Sequence, residues 1–129
     1  MVSAAVPLVI ALDDPAAVRA LVGGKGASLA RLARAGFAVP PGFCVTSRAY
    51  VDFVAHAGLA VRLQGAMSVV DVCDPATYGA ASREIAGLFA GRPWPAATAA
   101  AIAGAYAGLG EEAPVAVRSS ATTEDLPGL

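Results

Sequence analysis

Lys25 is the only lysine in a chain of 129 residues, and it stands between Gly24 and Gly26 with Gly23 just before. Every other basic residue is an arginine: Arg19, Arg31, Arg34, Arg48, Arg62, Arg83, Arg92 and Arg118. Glycines at 23, 24 and 26 allow positive φ and let a ligand approach the backbone closely. The stretch "LVGGKGASLARLARAG" also opens onto the start of a helix, where unpaired amides and the positive end of the helix dipole favour an anion. Lys25 adds a compact, rotatable ammonium where a planar guanidinium would fit differently. The chemistry suited to this set is phosphate binding. The pattern is neither a P-loop, because Arg19 rather than a glycine stands five residues before Gly24, nor the dinucleotide G-x-G-x-x-G. Taken alone it therefore reads two ways. Either the loop cradles a phosphate, or Gly23 caps one helix, Gly24 and Gly26 complete a turn and Lys25 is simply solvated.

A second group lies near the other end, where Arg118 is followed by Ser119 and Ser120. "APVAVR" reads as a strand from Val115 to Arg118, and a guanidinium at a strand's C-terminal end can hold a phosphate through two parallel hydrogen bonds. The bland alternative is an arginine at a sheet edge paired with Glu124 or Asp125. Those two acids are better read as capping or pairing groups than as metal ligands, since Thr122 with Asp125 fits a capping pattern. His56, near the end of an expected helix, reads as an ordinary surface histidine and not as a phosphoryl carrier. Tyr50 and Phe53 follow helical spacing and read as core, not as a base-stacking platform. Cys44 and Cys73 have no metal-ligand spacing and read as small buried thiols in a reducing compartment.

The elements that must position these residues are legible in outline. "VPLVIAL" at 6–12 fits a buried strand, and "DDPAAVRALV" a short helix capped by Asp14 with Pro15 at its first position. From Ala27 to Ala35 an amphipathic helix is expected with Leu29, Leu32 and Ala33 on its buried face and Gly36 as its stop. "FAVPPGFCV" gives two short β-prone pieces around Pro40, Pro41 and Gly42. Thr46 or Ser47 starts a third helix that ends at Gly58. Residues 59–73 are ambiguous between helix and strand. Asp74 and Pro75 open a helix with Ile85, Leu88 and Phe89 as its buried stripe, and an alanine-rich helix covers 95–107. The fold class is mixed α and β in a single unit over 1–129.

Composition narrows the function. With 57% hydrophobic residues, many of them alanine, the core will be thin. A formal net charge of −1 without long runs argues against nucleic acid or a polybasic membrane contact as partner. The apolar N-terminus lacks a positive leader and breaks at Asp13-Asp14-Pro15, too early to span a bilayer, which favours a cytoplasmic chain.

Together, "VGGKGASLARLARAGFAVPPGFCVTSRAYVDFV" and the distant "VAVRSSATTEDLPGL" closely resemble the N-terminal ATP-binding domain of the phosphoenolpyruvate synthase (pyruvate, water dikinase) family, which includes the rifampicin phosphotransferases and, more distantly, pyruvate, phosphate dikinase. The likeness is strong over 21–54 and 114–129 and faint between. It implies the first part of an ATP-grasp-like nucleotide-binding domain, incomplete, with Lys25 and Arg118 matching the family's ATP-phosphate ligands and Gly24 and Gly26 as loop backbone. In that family ATP phosphorylates a histidine on a separate domain, and the phosphoryl group then passes to pyruvate or to an antibiotic hydroxyl. Lysine, arginine and Mg²⁺ neutralise the phosphates. The resemblance places the metal ligands, the second ATP-grasp lobe, the phosphohistidine domain and the acceptor domain beyond Leu129, so the expectation is a truncated chain without catalytic residues, inactive by itself. Two other readings stand beside it: a non-catalytic α/β interaction module whose glycine loop is only a turn, and an inactive remnant.

Overall fold

The computed structural model describes residues 6–123, so Glu124 and Asp125 lie outside the described residues. The elements run β1 (Val9–Ala11), α1 (Arg19–Arg34), β2 (Phe43–Val45), α2 (Ser47–His56), α3 (Ala60–Ser68), α4 (Pro75–Phe89) and α5 (Ala96–Ala107). They divide into two packed units. One holds residues up to Tyr50 and those from Ala96 onward; the other holds Val51–Pro95.

In the first unit β1 and β2 pair antiparallel, with Val9 opposite Val45, Ile10 opposite Cys44 and Ala11 opposite Phe43. Three residues per strand make a weak ladder, and it is lengthened at both ends. The Leu12 amide donates to Gly42 O at 3.0 Å and the Thr46 amide to Leu8 O at 3.0 Å. Thr46 is buried, and its hydroxyl donates to Pro7 O at 2.7 Å, so the polar atom taken out of water keeps a partner. Ser47 donates from its hydroxyl to Ala20 O at 2.9 Å, which fixes the start of α2 against the start of α1.

The core of this unit is Ile10, Ala17, Val22 and Ala30, flanked by Leu21, Ala27 and Cys44. The buried residues of α1 are Val22, Gly23, Gly24, Gly26 and Ala30, with Gly26 and Ala30 four apart on one helical face. The expected face of Leu29, Leu32 and Ala33 needs correction: Leu32 is 43% exposed. Small residues win that face because β2 comes so close that a Cβ on Gly26 would stand 3.1 Å from Cys44 Sγ. Leucine has no room there.

The second unit is built on another cluster, Phe53, Leu59 and Leu88, with Val54, Ala57, Leu63 and Phe89 against it. The Phe53 ring stacks on Phe89 at 5.4 Å between centroids and meets the Trp94 ring, tilted, at 5.0 Å, both within the range of favourable ring pairs. Residues 59–73, open from sequence, hold the helix α3. The α4 start is as expected: Asp74 is the N-cap, its carboxylate accepting from the Ala76 amide at 3.0 Å, with Pro75 next.

Several expectations fail. The helix expected from Pro15 begins at Arg19 instead, while Asp14 accepts from the Ala16 amide at 2.7 Å in a turn. No strand forms at 115–118 among the described residues; Val115 and Val117 are 53% and 93% exposed, and a strand is defined only by a neighbour to bond. Tyr50 is 55% exposed although Phe53 is core as expected. Cys73 is exposed and Cys44 only half-buried. Among the described residues no helix is long and apolar enough to cross a membrane.

Candidate functional site

The glycine stretch joins two helical segments at a single non-helical residue, with no longer loop between them. It is a break inside α1, where Gly23 takes φ 72° and ψ 178° while the residues on either side stay helical. That backbone region is open almost only to glycine. Val22 closes the first short helical segment, and Gly24, Lys25 and Gly26 make the first turn of the second. Lys25 thus rides on a fresh helix N-terminus, as the dipole argument wants, but from a kink that brings no extra chain length.

The break is filled from the far end of the chain. The Gly24 amide donates to Ala121 O at 2.9 Å. The Gly26 amide donates to Ser120 Oγ at 3.1 Å, and the Ser120 hydroxyl itself donates to Val22 O at 2.8 Å. Ser120 also lies so close to Gly23 that a Cβ there would run into its hydroxyl and carbonyl. The amides of Gly24 and Gly26, open from sequence to either a phosphate or a turn, donate to protein acceptors in the structure. It is Gly23 whose missing side chain admits Ser120, while a Cβ on Gly26 would meet Val22 and Cys44 instead.

The consequence for the two cations is direct. Lys25 lies between the two glycines whose amides bind residues 120–121, and Arg118 is two residues before Ser120. Positions 93 apart in sequence are thus carried by backbone segments that hydrogen-bond to one another. Arg118 is exposed, and Lys25 is half-buried. An exposed arginine is accessible to an anion from solvent. Ser119 is exposed as well, whereas Ser120 is half-buried by its packing on Gly23.

Other candidates fall away on chemistry. An apolar cleft of about 400 Å³ in the same unit is lined by Val9, Leu12, Val39, Pro40, Phe43 and Leu109 among others, with Asp13 as its charged side chain. Neither Lys25 nor Arg118 lines it, and a lone carboxylate repels phosphate. His56 is exposed on the last turn of α2. Burial pushes the Cys44 thiol above its ordinary range, so near neutral pH it stays a neutral packing group under Gly26 and not a nucleophile. Among the described residues no three or more His, Cys, Asp or Glu come together, so these residues do not by themselves fit a resident magnesium ion.

Residues 19–129 match the family described as pyruvate phosphate dikinase, AMP/ATP-binding domain. The chain belongs to that family, and the mixed helix and strand content is that of a fragment of an α/β nucleotide-binding domain. It is 46% identical over 113 residues to a phosphoenolpyruvate synthase of Aeropyrum pernix, covering 83% of this chain and 14% of the relative. It is 43% identical over 122 residues to a rifampicin phosphotransferase of a Streptomyces species, covering 93% of this chain and 14% of the relative. A probable phosphoenolpyruvate synthase of Methanocaldococcus jannaschii is 43% identical over 112 residues, 83% of this chain and 9% of the relative. The chain therefore spans at most about a seventh of the length of these curated relatives.

What sequence reasoning missed is Ser120. Its only signal was position, directly after the Arg118-Ser119 pair, and nothing local marks it as the partner of the Gly26 amide 94 residues earlier.

Proposed function

We propose that this chain carries part of the ATP site of a phosphotransferase of the dikinase type, with Lys25 and Arg118 binding the phosphate tail. The observation that supports the reading most is the hydrogen-bonded contact between the glycine turn and residues 120–121, which gives the two cations a common neighbourhood. Gly24 and Gly26 contribute as loop backbone, their amides donating to Ala121 O and Ser120 Oγ. In phosphoryl transfer the protein's work is mainly to position the phosphates and neutralise their charge, and a rotatable ammonium with a planar guanidinium suits both tasks. By kinship with the synthases and the rifampicin phosphotransferase, the phosphoryl group would pass from ATP through a histidine on another domain. Its final acceptor would be pyruvate or an antibiotic hydroxyl. The second nucleotide-binding lobe, the histidine domain, the acceptor domain and the Mg²⁺ ligands belong to portions outside residues 1–129, and a cytoplasmic setting fits a chain that uses ATP.

Calorimetric titration of ATP, with and without Mg²⁺, into the protein as encoded tests this. Hydrogen bonds to charged groups are worth about 1.5–3 kcal/mol, so Lys25→Ala and Arg118→Ala should each weaken ATP binding roughly ten- to a hundredfold. Affinity for adenosine should hardly change. Equal ATP affinity in both variants and the parent would overturn the assignment and favour an interaction module whose glycine turn is only structural.

A further inference from the structure

The glycine break in α1 and its distant serine carry a role beyond binding the nucleotide. In an unbroken helix the Gly26 amide pairs with the carbonyl four residues back, that of Val22. Ser120 Oγ bridges this same pair: it accepts from Gly26 at 3.1 Å and donates to Val22 O at 2.8 Å. A side chain inserted into the i to i−4 ladder is a known physical cause of a sharp helix kink. The neighbouring Ala121 carbonyl takes the Gly24 amide at 2.9 Å, so one short segment satisfies two of the donors that a helix start leaves open.

We infer that Ser120 is the positioning residue of the site: its hydroxyl, seated in the break at Gly23, fixes the spacing between the backbone carrying Lys25 and the backbone carrying Arg118. The inference rests on the reading of those two cations as phosphate ligands. The geometry requires both partners. Gly23 must lack a Cβ, because Ser120 occupies the space one would take, and Ser120 must carry a hydroxyl, because a single atom acts as acceptor and donor at once. No contact of Ser120 with the ligand is needed. It acts, together with the Ala121 carbonyl on the Gly24 amide, by holding the arginine segment, in which Val117 is 93% exposed and no strand forms at 115–118.

The test compares ATP and adenosine binding to the protein as encoded in Ser120→Ala, Arg118→Ala and the double variant, with Ser119→Ala as the exposed control. Loss of one positioned pair of hydrogen bonds should weaken ATP roughly five- to tenfold while leaving adenosine within about twofold. Once Arg118 is gone, removing the hydroxyl should cost ATP affinity little more, because the two act as one unit. Ser119→Ala should behave as the parent. Ser120→Cys, of similar shape but with a weak donor and acceptor, serves if the alanine variant unfolds, and should show the same ATP-selective loss. Unchanged ATP affinity, an equal loss of ATP and adenosine binding, or full additivity with Arg118→Ala would overturn the positioning role. If Lys25→Ala and Arg118→Ala weaken ATP while Ser120→Ala does not, the positioning role alone falls. If neither cation matters, both fall together.

Discussion

Gly23 shows how much one residue decides. Its φ of 72° with ψ of 178° lies where other residues incur about 1–3 kcal/mol of strain, and Ser120 fills the place of a side chain. Gly23→Ala should therefore destabilise the protein by at least about 2 kcal/mol and weaken ATP binding as well. Gly87 is the natural contrast, since it sits in α4 with nothing within 4 Å of a built Cβ. Gly87→Ala should stabilise by about 0.5–1 kcal/mol, because alanine loses less backbone entropy in a helix. Urea unfolding of the two variants checks the opposite signs, and a Gly23→Ala protein as stable as the parent would refute the account of the kink. The lysine and its glycines were readable from sequence because their types are unusual at that spacing. The serine was not, since its importance comes from a contact with no local trace.

At the scale of elements, two starts with the same local chemistry behave differently. Asp74-Pro75 and Asp14-Pro15 each present an acid followed by proline, and both acids accept from the amide two residues on. At Asp74 the helix α4 follows at once. After Asp14 the chain makes a turn closed by the Ala17 amide on Asp14 O at 3.0 Å, then an extended residue at Val18, and α1 begins only at Arg19. Ala17 explains the difference, for it is buried in the Ile10 core, and reaching it interrupts the helix. Local signals hold where no tertiary demand opposes them. Asp74→Ala should accordingly cost about 1 kcal/mol, the ordinary worth of an N-cap, with the loss concentrated in α4. Amide hydrogen exchange over Pro75–Phe89 is the measurement, and undiminished protection there would show that the cap contributes nothing. The expected strand at 115–118 fails for the complementary reason: its alternation fits a pleated surface, yet a ladder needs a second strand, and among the described residues only β1 and β2 supply one another.

For the whole molecule, thinness of the core is the governing fact. Among the described residues, half of the ten buried apolar ones are alanine, and the large ones divide between two clusters, Ile10 with Val22 and Phe53 with Leu59 and Leu88. Each unit therefore depends on very few large side chains. Leu88→Ala should cost about 2–5 kcal/mol through lost burial and the cavity left behind. Hydrogen exchange should then lose protection in α3 and α4 before β1 and β2. Equal loss in both sets would mean that the two clusters unfold as one body. Large apolar side chains such as Val61, Val72 and Val117 remain on the surface, which a single scattered valine would not make notable but which leaves little to reinforce either cluster.

The sequence by itself determined the family, the mixed fold and most helices, because these depend on residue types, local caps and long ordered motifs that survive without coordinates. Only the tertiary structure decided that the second helical segment starts directly after Gly23, that small residues and not leucines form its buried face, and that Ser120 closes the break. The physical reason is range: an N-cap or a glycine-rich turn acts over a few residues, whereas a hydroxyl bridging Val22 and Gly26 from 94 positions away exists only once the chain has folded back on itself.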